Sequence, residues 1–120
     1  MKDLTAAKLL RIHIGEADRL RNRPLFEALV MEAREAGLAG ATVLRGIESY
    51  GASSVVHRAR LVELSADLPI VVEIVDAEEK VRAFLERIDP LLTEAGCGVL
   101  MTLEGVEIVR YGARAKDRGA

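Results

Sequence analysis

The chain is poor in the residues that announce particular chemistries. Its 120 residues include one cysteine, Cys97, no tryptophan, two tyrosines, two phenylalanines and three prolines. A single thiol excludes an internal disulfide and any structural zinc site built from several thiolates, and it fits a reducing cytoplasm. No apolar run approaches the ~20 residues needed to span a bilayer. Met1 to Leu10 lack the long apolar core of a secretory signal, so the cytoplasm is the expected compartment. Charge of one sign is also missing: 17 Lys and Arg against 19 Asp and Glu leave a net charge of −2. The field of the whole molecule therefore attracts neither nucleic acid nor anionic lipid, and any anion site must be local. What the chain does have is apolar material, 50% of residues with 30% charged, enough for one folded core. Residues 1–112 are expected to form a single domain and 113–120 a flexible tail.

The apolar residues are patterned. From Ala7 to Ile14, Leu10, Ile12 and Ile14 alternate with Leu9, Arg11 and His13, as a half-buried strand requires. A polar stretch, Gly15 to Arg23, leads to Pro24, whose fixed φ suits the first turn of a helix. That helix should bury Phe26, Leu29, Val30 and Ala33, with Gly37 on the same face and able to supply a left-handed cap. Gly40 to Ile47 reads as a second strand feeding a loop, Glu48 to Ser54, and Val55 to Ser65 as an extended return. Leu68 to Val75 is the strongest strand, with Pro69 at its start, where a ladder donor can be spared.

Asp76-Ala-Glu-Glu79 resembles a capping box, and Val81, Phe84, Leu85, Ile88 and Leu92 continue at helical spacing to an end at Gly96. Pro90 predicts a kink or restart near Asp89. Val99–Leu103 and Val106–Tyr111 read as two short strands joined by a Glu104-Gly105 hairpin. The order β-α-β, loop, β-α-β makes two crossover units in one sheet covered on one face by two helices. This is the α+β, ferredoxin-like βαββαβ sandwich, here with an added C-terminal hairpin strand. The second sheet face is expected to need cover, because Ile70, Val71 and Val72 are consecutively apolar, as are Val43 and Leu44. A symmetric oligomer would provide that cover, and a loop folding across the face is the alternative.

Catalytic signals are weak. His13 and His57 have no serine or cysteine close in sequence to act as a nucleophile, and no His-Glu-x-x-His or Cys-x-x-Cys spacing suggests a metal. No catalytic or metal-ligating residue is assigned. RNA-recognition folds share this element order but stack bases on central-strand aromatics, whereas Phe26 and Phe84 fall on helix core faces. Nucleic acid is therefore not an expected partner. Two glycine-containing loops remain, Tyr50-Gly-Ala-Ser-Ser and Gly96-Cys-Gly-Val, where backbone N–H groups could converge on an anion. Arg45, Arg58, Arg60 and Arg110 could supplement them, since a guanidinium suits bidentate phosphate contacts; ordinary turns and surface charge are the alternative reading of both features.

Arg11-Ile-His-Ile-Gly-Glu-Ala-Asp18, the segment from Gly37 to Ile47, Tyr50-Gly-Ala-Ser and the segment from Leu68 to Asp76 together resemble the PII-like domain-of-unknown-function family 190. That family resembles the PII nitrogen-regulatory proteins, and the resemblance implies a ferredoxin-like homotrimer binding an adenine nucleotide between subunits. It implies a site at the base of the long loop after the second strand and at a Gly-x-Gly after the second helix. Thr42, Val43, Tyr50 and Gly51 match the former, and Gly96, Cys97 and Gly98 the latter. PII proteins carry a cation after each glycine motif; here those positions are Ala52 and Val99, and Ser49 replaces a glycine. Each lost charge-assisted contact removes about 1.5–3 kcal/mol, so AMP or ADP is expected over ATP.

The expected nucleotide site comprises Gly51, Ala52, Ser53, Gly96, Cys97, Gly98 and Val99, with Arg45 and Arg110. The expected partner-binding loop comprises Glu48, Ser49, Tyr50, Ser54, His57 and Arg58. The protein partner is unidentified; the resemblance makes a membrane transporter or channel one candidate. The alternatives are a structural trimer without a nucleotide and a small-molecule enzyme using Glu16, His57 or Cys97.

Overall fold

A computed structural model describes residues 4–50, 57–58 and 67–112. Along the chain run β1 (Thr5–Gly15), β2 (Arg19–Leu20), β3 (Arg23–Pro24), α1 (Leu25–Glu35), β4 (Thr42–Arg45), β5 (Glu48–Ser49), β6 (His57–Arg58), β7 (Pro69–Asp76), α2 (Glu78–Ala95) and β8 (Leu100–Ile108). The main sheet has the order β4-β7-β1-β8 with every neighbour antiparallel. This is the ferredoxin-like α+β arrangement expected from the sequence. The expected tail, 113–120, and most of the expected return segment, 55–65, lie outside the described residues; within that segment β6 pairs with β5.

Alternation along the two central strands creates the core. Leu10, Ile12 and Ile14 of β1 and Ile70, Val72 and Ile74 of β7 point to one side, all nearly or fully buried. Against them pack Leu25, Ala28, Leu29 and Ala33 of α1 and Val81, Phe84, Ile88 and Leu92 of α2. The buried face of α1 is rotated from the expected one. The helix presents Leu25 and Ala28 as well as Leu29 and Ala33, leaving Phe26 and Val30 half-buried on its flank. A Schellman motif closes it as expected: Gly37, at φ +79°, donates to Arg34 O, and Leu38 donates to Ala33 O while entering the core. Gly96, at φ +67°, ends α2 in the same left-handed conformation.

Four sequence expectations are corrected. Residues 100–108 form one strand rather than a hairpin: Gly105 sits opposite Lys8 inside an unbroken ladder with β1 and lacks the positive φ that a two-residue hairpin turn requires. The N-cap of α2 is Ala77 rather than Asp76, because the Asp76 carboxylate accepts the N–H groups of Ala77 and of distant Ala39 instead. Helix α2 runs through Pro90 without a restart; Pro90 and Glu86 both lie on the exposed side, where the carbonyl that loses its donor is open to water. A small hairpin, β2–β3, precedes α1, turning at Arg21 with φ +57°. Both nitrogens of its fork, Nε and Nη2, donate to Glu94 at 2.9 Å, which ties the hairpin to α2.

The second sheet face carries the apolar residues expected of it, but a charged row divides them. Leu9, Leu44, Val71, Val75, Leu100 and Val106 are half-buried or exposed there. Between them Arg11 on β1 reaches Glu73 on β7 at 2.9 Å and Glu104 on β8 at 2.7 Å. Beyond β8 the chain crosses part of this face toward the opposite edge, where the Tyr111 hydroxyl donates to Ala39 O at 2.9 Å. Residues 109–111 thereby roof a cavity of about 930 Å³ walled by Leu9, Val75, Val106 and Ile108. No helix among the described residues is long and apolar enough to cross a membrane.

At the far end of the sheet, β4 presses closely on β7. Gly46 N–H donates to Pro69 O at 2.7 Å, and a Cβ at Gly46 would lie 2.6 Å from Cγ of the rigid proline ring. Gly46→Ala should therefore destabilise the fold by about 1–3 kcal/mol as the strands separate, read as a lowered thermal midpoint in circular dichroism; an unchanged midpoint would show that the contact relaxes at no cost.

Candidate functional site

Antiparallel pairing brings four chain segments to one end of the sheet: the end of β1 with Gly15–Asp18, the end of β4 with residues 45–50, the start of β7 at residues 67–69, and the turn at residues 96–99. Gly15 pairs with Pro69, and Leu100, just after the last turn, pairs with His13. Glu16 N–H donates to Leu68 O at 2.8 Å. His13 lies on the second sheet face beside Val71 and Leu100, opposite in direction to Ile12 and Ile14, as expected.

The Gly15–Asp18 turn is built by carboxylates. Asp18 Oδ2 accepts the Gly15 N–H at 2.7 Å while Asp18 N–H donates back to Gly15 O. Asp67 Oδ1 accepts the Ala17 N–H at 2.8 Å. Both carboxylates crowd Gly15, where a Cβ would lie 3.0 Å from Asp67 and 3.3 Å from Asp18. Asp18 also accepts the Leu25 N–H through its carbonyl and so anchors the start of α1. Sequence reasoning missed Asp18 and Asp67; a short acidic residue three positions after a strand-ending glycine is a turn signal that could have found the first.

The expected site residues divide between the two ends of the sheet. Arg45, at the end of β4, and Gly96–Val99 stand at this end, with Glu48 and Ser49 pairing to Arg58 and His57 through the backbone. Tyr50, 73% exposed, and Ile47, 78% exposed, flank that small ladder. Gly51, Ala52, Ser53 and Ser54 lie outside the described residues. Arg110 stands at the opposite end, separated from the residue 96–99 turn by the nine residues of β8, about 30 Å at a strand's rise per residue. One subunit therefore does not bring Arg110 together with Arg45.

The local charge is negative. In the four segments Arg45 is the sole cation against Glu16, Asp18, Glu48 and Asp67. Arg45 Nη2 donates to Glu16 Oε2, an ion pair running from β4 to β1 with β7 between them. No group of three or more potential metal-binding side chains occurs among the described residues. Cys97 is half-buried beside Asp18; burial first, and then the charge and hydrogen bond of that carboxylate, push its thiol above the ordinary range. Less of it is thiolate at neutral pH than of a free cysteine.

The model of the family DUF190, described as "Uncharacterized ACR", matches residues 7–108. A UPF0166 protein of Aquifex aeolicus is 41% identical over 102 residues, covering 85% of this chain and 92% of the relative. A UPF0166 protein of Methanocaldococcus jannaschii is 30% identical over 90 residues, covering 75% and 82%. Among solved structures, CPII of Thiomonas intermedia K12, a nitrogen regulatory PII-like protein bound to ADP, AMP and bicarbonate, superposes with a TM-score of 0.69 at 19% identity. That match covers 90% of this chain and 92% of CPII. The fold is therefore PII-like.

The Cys97 environment makes a direct prediction. Alkylation by iodoacetamide at neutral pH should be slower than for free cysteine, with its rise displaced to higher pH. Asp18→Asn, which keeps an oxygen for the Gly15 N–H, should speed it; equal rates in both proteins would place the effect in burial alone.

Proposed function

The chain belongs to the DUF190 family, and from that premise we propose that it is a non-catalytic, PII-like regulatory protein that binds an adenine nucleotide in the clefts of a homotrimer. The observation that carries this reading is the placement of Arg45, the base of the 48–58 loop and the glycine turn at residues 96–99 at the same end of the sheet. Backbone N–H groups of a glycine turn and an arginine are the groups that suit a phosphate. The nucleotide-bound state of CPII, which has the same fold, supports the reading.

The position of Arg110 favours an intersubunit site. Since Arg45 and Arg110 stand at opposite ends of one subunit, a site using both takes Arg110 from a second copy. The apolar residues of the second sheet face supply the surface on which copies associate. With Ala52 and Val99 in place of cations and four carboxylates at the site end, AMP or ADP is preferred to ATP. Nucleotide binding orders the 48–58 loop, which then engages a protein partner in the cytoplasm, a membrane transporter or channel being one candidate.

Calorimetric titration of the nucleotide-free full-length protein with AMP, ADP, ATP and cyclic AMP, alongside its mass in solution, tests this reading. The expected result is one saturable site per subunit of a trimer, with AMP or ADP tighter than ATP. An intact trimer that releases no heat with any of them would point instead to a purely structural assembly. Saturating nucleotide should also protect the 48–58 segment from limited proteolysis, and unchanged cleavage would remove the loop from the mechanism.

A further inference from the structure

The ion pair at the candidate site joins Arg45, the cation that ends β4, to the Glu16 carboxylate just beyond β1. We propose that Glu16 is a specificity-determining residue, competing with the ligand's phosphates for Arg45 and setting how many of them the site accepts. This deepens the nucleotide reading and rests on it.

The two partners are unequal in freedom. Glu16 is anchored through its own N–H to Leu68 O, and its side chain is 27% exposed. Arg45 ends a four-residue strand, and its side chain is 62% exposed. In an exchange of partners the arginine moves and the carboxylate stays. A guanidinium that leaves Glu16 for a phosphate uncovers a fixed negative charge at the rim of the site, and every further phosphate group is placed against it. The cost rises from AMP through ADP to ATP, whereas uncharged adenosine does not meet it.

The two turn-building carboxylates do not share this role. Asp18 and Asp67 have carboxylate oxygens committed to the N–H groups of Gly15 and Ala17, and neither hydrogen-bonds Arg45. They build the turn that holds Glu16 in place. Glu16 is the carboxylate whose partner is the one that a phosphate would need.

Full-length wild-type protein, Glu16→Gln and Glu16→Ala are titrated calorimetrically with adenosine, AMP, ADP and ATP, and their folds are compared by thermal melting. Both variants should shift the ratio of ATP to AMP affinity by up to about fivefold toward ATP, the upper range for loss of an exposed ion pair, with adenosine unchanged. Adding Arg45→Ala to Glu16→Gln should abolish most of that shift. A wild-type protein that binds nucleotides, with the same affinity ratio in both Glu16 variants, would overturn the role of Glu16 and leave the nucleotide reading standing. If neither wild type nor variants bind any of the four, the nucleotide reading fails and this inference with it. Binding that emerges only on removal of Glu16 would support the competition directly.

Discussion

The ladder between β1 and β7 is the constraint on which the other elements depend. Its eight residue pairs, from Lys8 opposite Asp76 to Gly15 opposite Pro69, fix which side chains enter the core. A slip of one residue in either strand would turn that strand's core side chains to the second face. Helices α1 and α2 are held by the buried face so defined, and β4 and β8 add to its two edges. The ladder also decides what meets at its ends. Because Gly15 stops beside Pro69, Glu16 lies within reach of Arg45, which ends the edge strand on the far side of β7.

Features written in local periodicity were legible in the sequence. Alternation in β1 and β7, the helical spacing of Val81, Phe84, Ile88 and Leu92, and the left-handed glycines at 37 and 96 all follow from interactions within a few residues. Features settled by distant partners were not. Asp76 looks like a cap from its own neighbourhood, but Ala39, 37 residues earlier, takes one of its oxygens. Gly105 looks like a turn residue, yet pairing with Lys8 keeps the strand straight. The division extends to the candidate site: Arg45 and the Gly96–Val99 turn were named from the sequence, while the contact of Arg45 with Glu16 requires the order β4-β7-β1 to be known. Arg110 offers the right guanidinium chemistry, but the direction of β8 in the sheet, which places it at the far end, is not written in its own neighbourhood.

The charge of the site end is a by-product of its architecture. A chain that leaves a strand in a tight turn exposes N–H groups that no ladder satisfies, and short carboxylates are good acceptors for them. Asp18 and Asp67 serve that purpose for Gly15 and Ala17. With burial, Asp18 also makes the surroundings of Cys97 unfavourable to a thiolate. A residue that stabilises the turn therefore also helps set the reactivity of the neighbouring thiol.

The crossing of residues 109–111 has a further consequence for how the molecule can be handled. Thr5 pairs with Ile108, so β1 begins and β8 ends together, and Tyr111 then fastens the departing chain to Ala39. Both leave the sheet at the end remote from Gly15, Arg45 and Gly96. A surface or fusion joined through either flank would present the candidate site outward, with the length of the sheet as a built-in spacer.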